Sequence, residues 1–409
     1  MPETSAPPRI GFNALLMSAS GDFRAAGLHR YTHAMLQALA DEPGIAVSAY
    51  TADASARATL PAAIDVRPAP ALARRRAGRI VWEQLGLPVA LVRAKARLYH
   101  GAAYAMPALC PVPAVVTVHD LSFIRMPGAF PPLQARYLRL ATSVSARRAA
   151  ALIAVSEFTG RELVRLLGVP AERVHVVPNG CDPRCRPLPP ADVAAFRARA
   201  GLPERFILAV GTLQPRKNLE TLLRAYALLR RDWDANRGNG HAGDEAAGAP
   251  PALVVAGAPG WGRVDVRAHA AGLGVAEHLY LPGFVPEADL PALYNAALCL
   301  AFPSRYEGFG LPALEAMACG TPVVVSDATS LPEVVGDAGL RVPPDDVAGW
   351  AAALLHLATD APARRALAER GPARATGFTW QRAASQTAAV WRTVLSAPQP
   401  VARAASSAR

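Results

Sequence analysis

The stretch Ser304-Arg-Tyr-Glu-Gly-Phe-Gly-Leu-Pro-Ala-Leu-Glu-Ala-Met-Ala-Cys-Gly320 decides the fold. An apolar run, Leu298–Phe302, leads into it, and a helical pattern, Leu311–Cys319, leaves it, stopped by Gly320 and Pro322. Strand, glycine loop and helix in that order form the repeating unit of a parallel sheet covered by helices. Gly308 and Gly310 let the backbone approach a ligand closely. The helix opening at Leu311 presents unpaired N–H groups and a partial positive charge, a seat for a diphosphate. Glu315, about one turn into that helix, can accept two hydrogen bonds from a ribose diol. Glu307, before the glycines, lies on the other side of the phosphate and can hold hydroxyls of a second sugar. Either glutamate alone reads as an ordinary first-turn helix acid. The whole segment reads as a clamp for a nucleotide sugar.

The same unit recurs upstream. Strand Phe206–Val210 runs into Gly211-Thr-Leu-Gln-Pro-Arg-Lys-Asn218 and a helix over 218–230. Arg216 and Lys217 place two cations near a helix N terminus, which reinforces anion binding. Of 43 basic residues only Lys95 and Lys217 are lysine. Further strands in this half are predicted at 253–256, 279–281 and 322–326, with a helix at 289–297. In the first half strands are predicted at 10–15, 45–50, 64–67, 96–100, 114–118, 151–155 and 174–177, with helices at 27–40, 132–150 and 159–167. Thr159 and Glu162 have capping-box spacing at the start of the last helix. The Pro-rich Cys185-Arg-Pro-Leu-Pro-Pro190 is the expected linker. Residues 1–185 and 186–378 are thus expected to form two α/β domains facing each other across a cleft. Residues 232–251, rich in Gly, Ala and Asp, are expected to form a mobile insert, and 396–409 a disordered tail.

Composition narrows the function classes. The 409 residues suffice for two cores, and 52% hydrophobic against 18% charged residues excludes extensive disorder. No apolar run reaches the ~18 residues of a spanning helix, and the first residues lack a basic signal-peptide region, so a cytoplasmic protein is expected. Five cysteines, an odd number, argue against a disulfide framework, and Cys181 and Cys185 have no second pair at zinc spacing. The net charge of +11 is uneven: residues 1–185 carry 21 Lys and Arg against 12 Asp and Glu. That suggests an anionic surface facing the first half, either membrane or nucleic acid. Nucleic acid would call for a row of stacking aromatics, and none is present, so no nucleic-acid partner is expected.

Residues 206–223 and 302–334 resemble the donor half of the retaining family 4 glycosyltransferases. Glu307 and Glu315, with seven residues between them, match that family's signature, as do Pro178-Asn-Gly180 and Leu331-Pro-Glu333. Gly27-Leu-His-Arg-Tyr31, Val118-His119-Asp120 and Ala154-Val-Ser-Glu-Phe158 resemble its mannosyltransferase-like members. The resemblance implies the GT-B architecture, two Rossmann-like domains with residues 379–395 as a helix crossing back to the N-terminal domain. It assigns the donor diphosphate to Arg216 and Lys217, the ribose to Glu315 and hydroxyls of the transferred sugar to Glu307. His119 would face that sugar. Gly308, Phe309 and Gly310 would contact sugar and phosphate through backbone N–H groups, and Gly211 and Leu311 complete the donor-binding set. Gly27 would let the first loop approach the phosphates, although Arg24-Ala-Ala-Gly27 lacks the two successive glycines of many members. No metal or other cofactor is implied, because Arg216 and Lys217 supply the charge. Asp232-Trp-Asp234 resembles the metal-binding triplet of the other main glycosyltransferase fold, but is expected to lie unstructured in the insert.

The function implied is transfer of a hexose, mannose from GDP-mannose, onto a growing, lipid-linked surface polysaccharide such as an O-antigen. No carboxylate stands out as a nucleophile, so same-face attack through an oxocarbenium-like state is the expected route to retention. Arg74-Arg-Arg76, Arg79, Arg93, Lys95 and Arg97 flank the largely apolar Ile80–Leu85, which suits peripheral contact with an anionic inner membrane. Two alternatives share the fold: a nucleotide-sugar 2-epimerase, and a transferase using a UDP- or dTDP-sugar.

Overall fold

Seven short runs of the first half become parallel strands: β1 (Arg9–Asn13), β2 (Ala46–Thr51), β3 (Asp65–Pro68), β4 (Leu98–Gly101), β5 (Ala114–Val118), β6 (Ala151–Ala154) and β7 (Val174–Val176). The computed structural model describes residues 6–17, 26–53, 55–238, 249–260, 262 and 265–397. The strand order is β3-β2-β1-β4-β5-β6-β7, every pair parallel. β1, β4, β5 and β6 are almost wholly buried, as strands covered by helices on both faces must be. The second half adds β8 (Phe206–Val210), β9 (Ala252–Ala256), β10 (Leu279–Gly283), β11 (Cys299–Phe302), β12 (Val323–Ser326) and β13 (Leu340–Val342), ordered β10-β9-β8-β11-β12-β13. Both sheets are doubly wound. Their order reverses between β1 and β4 and between β8 and β11, and ligand crevices open at the carboxyl ends of such strand pairs.

Two chain crossings join the halves, residues 177–189 and 375–379. They touch: the Cys181 N–H bonds the Phe378 carbonyl at 2.9 Å. A Cβ on Gly180 would come 2.2 Å from the Trp380 nitrogen, which explains glycine in Pro178-Asn-Gly180. The helix Trp380–Ser396 then lies on the N-terminal domain, burying Trp380, Ala384, Ala388 and Trp391 in its core with Phe12, Tyr31 and Met35. The Trp391 indole donates to His100 Nδ1 at 3.0 Å, so the buried nitrogen is satisfied.

Four local expectations fail for physical reasons. The helix beginning at Glu157 is capped by Ser156, whose Oγ accepts from the Thr159 N–H, rather than by a Thr159–Glu162 box. Glu162 is thereby left for a tertiary partner. Residues 232–238 are not an unstructured insert but continue the helix Leu219–Gly238, held because Trp233 is buried in the C-terminal core. Asp232 and Asp234 sit two apart on that helix and point to different sides, so they cannot clamp one ion. The other residues of the expected insert at 239–248, the tail from 398 onward and the loop through Arg24 lie outside the described residues. Elements not anticipated include the three-residue edge strand β13, the helices Val347–Thr359 and Ala361–Ala375, and the helix Pro190–Arg199, which opens inside the expected linker.

Candidate functional site

The loops after β8 and β11 leave neighbouring strands at the switch point of the second sheet, so the two segments singled out by sequence meet. Asn218 fastens them together. It adopts a left-handed φ of 57°, and its side-chain amide donates to the Pro303 and Pro344 carbonyls at 3.1 and 2.7 Å. The Arg305 N–H bonds the Arg216 carbonyl at 2.8 Å. Gly211, at φ 143°, turns the chain away from β8 beneath the Lys217 stem.

Lys217 and Arg216 converge on Glu307. Lys217 Nζ donates to Oε1 at 2.6 Å and Arg216 Nη1 to Oε2 at 3.1 Å. Burial alone would raise the Glu307 pKa, but Lys217 and then Arg216 outweigh it and hold the carboxyl at about 2. Burial lowers Lys217 below its usual value although Glu307 opposes the shift. Lys217 also lies 4.7 Å from the centre of the Phe302 ring. The two cations that the resemblance assigns to a diphosphate thus rest on the Glu307 carboxylate in this structure.

Gly310, at φ 114°, precedes the helix Leu311–Ala318. Phe309 turns its ring into the core, 5.8 Å from Phe378, which leaves only its backbone for a ligand. The single Ser330 hydroxyl proton is shared between the Glu307 and Phe309 carbonyls, 3.0 and 2.8 Å from Oγ, fixing the loop between them. Glu315 is fully buried and both its oxygens are engaged. Tyr294 donates to Oε2 at 2.9 Å, and Arg30 of the opposite domain pairs with Oε1. Beside this pair lies a cavity of about 930 Å³, lined among others by Arg30, Glu287, Glu315, Leu311 and Trp380. A ribose reaching Glu315 has to displace Arg30 or share the carboxylate with it.

From the N-terminal domain, His119 follows the end of β5. Its Nε2 lies 2.8 Å from the Ala102 carbonyl, which can only accept, so Nε2 carries the proton and Nδ1 is an acceptor. Desolvation lowers its pKa despite the Ala102 bond and Asp120, and the neutral ring is favoured. Neighbouring Asp120 accepts from the Ser122 N–H and hydroxyl at 3.0 and 2.7 Å. Gly308 sits directly against this segment: a Cβ there would lie 1.7 Å from the His119 carbonyl oxygen. Gly27 lies in the first turn of the helix Ala26–Leu39 with nothing within 4 Å of an added Cβ.

Three groups had no role in the sequence reading: Arg30, Tyr294 and Tyr306. Arg30 and Tyr306 stand inside quoted motifs, yet their partners are 285 and up to 185 residues away, a distance no local pattern spans. Among the described residues no group of three His, Cys, Asp or Glu side chains could hold a metal ion.

The family model of group 1 glycosyl transferases matches residues 193–374, and that of Glycosyltransferase Family 4 matches residues 25–184. An O-antigen chain mannosyltransferase B of Escherichia coli is 37% identical over 293 residues, 71% of this chain and 72% of that protein. A D-inositol 3-phosphate glycosyltransferase of Salinispora arenicola is 35% identical over 71% of this chain and 65% of its own length. Among solved structures, sucrose-phosphate synthase from Thermosynechococcus elongatus superposes with a TM-score of 0.71 at 22% identity, covering 96% of this chain and all of that one.

Proposed function

Because the chain belongs to glycosyltransferase family 4, we propose that this glycosyltransferase moves mannose from GDP-mannose, with retention, onto a growing surface polysaccharide. The observation that carries the site is the convergence of Arg216, Lys217 and Glu307 at the sheet's switch point, opposite His119. Donor diphosphate takes the place of the Glu307 carboxylate between the two cations, and Glu307 is released toward hydroxyls of the transferred sugar. As the sugar–phosphate bond breaks, charge develops on the leaving diphosphate, and fixed cations beside a helix N terminus oppose it without reorganising. Those cations stand where a metal would otherwise act, so the reaction needs none. His119 Nδ1 accepts a sugar hydroxyl, and Glu315 takes the ribose as Arg30 moves aside. The acceptor attacks from the face the diphosphate leaves. The mannosyl and O-antigen assignments draw on the 37% identical relative.

Thermal stabilisation by a panel of nucleotide sugars tests the donor. GDP-mannose should raise Tm more than UDP- or dTDP-sugars, EDTA should leave the shift intact, and Glu315→Ala should abolish most of it. A larger shift with a UDP-sugar would overturn the GDP assignment. Conversion of the donor to its 2-epimer without acceptor would make the protein an epimerase instead.

The lipid-linked acceptor draws on the surface of residues 72–93. Val81, Leu85, Val89 and Val92 are exposed at helical spacing, with Leu72 beside them and Arg75, Arg76, Arg79 and Arg93 interspersed. An apolar stripe edged by arginine suits an anionic bilayer surface. Co-sedimentation with vesicles containing phosphatidylglycerol should fall sharply for Leu85→Asp, and equal binding by that variant would refute the contact.

A further inference from the structure

The loop that carries Glu307 reaches into the opposite domain through the Tyr306 side chain. Tyr306 is 5% exposed, and its phenol uses both hydrogen-bonding roles across the cleft. It accepts from the Leu121 N–H at 3.1 Å and donates to Glu162 Oε2 at 3.0 Å. Arg125 pairs with Glu162 through Nε and Nη2, which holds that side chain in place beneath the phenol. The Tyr306 ring is also walled by Phe158 of the N-terminal domain, with centroids 5.5 Å apart. On the other side of the same residue, its carbonyl accepts from Arg216 Nη1 at 3.0 Å, and the next residue is Glu307. Two residues on, the Gly308 carbonyl accepts from Thr159 Oγ1 at 3.2 Å. The Tyr306 phenol, with the Gly308 carbonyl beside it, therefore ties the loop of Glu307 to the domain that carries His119.

We propose that Tyr306 is a positioning residue whose phenol, seated in the Leu121–Glu162–Arg125 socket, pins the sugar-nucleotide loop to the N-terminal domain. This rests on the reading that transfer occurs between the domains. The pin touches no substrate. It acts on the geometry of Arg216, Lys217 and Glu307 relative to the opposing wall, and small misplacements of such groups cost rate rather than ground-state binding.

The test uses the full chain with Tyr306→Phe and Glu162→Gln. Tyr306→Phe keeps the ring against Phe158 and removes only the hydroxyl. GDP release from GDP-mannose in water, which needs no acceptor, should fall about tenfold in kcat, while the Kd of GDP by calorimetry changes less than about twofold. Glu162→Gln retains an acceptor oxygen but loses the Arg125 charge pair, and should fall by a smaller factor. Small-angle scattering of the ligand-free protein should show Tyr306→Phe more extended than wild type. Unchanged scattering and an unchanged rate would overturn the pin, and so would a loss of GDP affinity equal to the loss of rate. If wild type releases no GDP from GDP-mannose in water, scattering still decides the pin, and the donor assignment is decided separately by the thermal shift.

Discussion

Gly308→Ala should lower kcat about a hundredfold, the scale on which misplacing reacting groups by roughly 1 Å acts. The added methyl would stand 1.7 Å from the His119 carbonyl oxygen and 2.8 Å from Asp120 Cβ. Backbone cannot rotate aside as a flexible side chain can, so the two domains must separate at the point where the sugar is expected to lie. Neither sheet is touched by the change, and each domain should keep its fold and its affinity for GDP. Gly272→Ala is the matched control, since nothing lies within 4 Å of its Cβ and it ends the helix Val266–Gly272. Steady-state rates with GDP-mannose check the prediction. A Gly308→Ala enzyme retaining half of wild-type kcat would mean that this contact is not kept during the reaction.

Lys217→Ala should reduce kcat by at least about tenfold, because it removes a buried charge opposite the leaving diphosphate. The fold should survive, as Glu307 keeps its bond to Arg216 at 3.1 Å and is not stranded without a partner. Lys217→Met keeps an unbranched stem against Gly211 and separates charge from packing. If charge is what matters, both variants lose rate alike. Wild-type turnover in either one would remove Lys217 from the leaving-group argument.

Much of the architecture was readable in the chain. Ala114–Val118 and Phe206–Val210 were placed to the residue as strands, because buried parallel strands are short apolar runs bounded by turn residues. The glycine loops stood out for a similar local reason. Gly308 and Gly310, or Arg216 beside Lys217, carry their chemistry within a few residues of one another. Where composition and packing disagreed, packing prevailed. Residues 232–238 have the composition of a loop, yet Trp233 reaches the core and draws its helix onward. β13 escaped notice because three residues at a sheet edge have too little apolar pattern to register.

The chain alone therefore determined two parallel α/β domains, the loops that leave β8 and β11, and the cations and glycines those loops carry. Only the tertiary structure decided which groups face them. Arg30 on Glu315, Tyr306 on Glu162 and Leu121, and Gly308 against His119 each join the two domains across 144 to 285 residues. The physical reason is that strand and loop preferences are set by neighbours along the chain. A contact across the cleft depends instead on how two finished domains are oriented by the crossings at 177–189 and 375–379 and by the returning helix that buries Trp391.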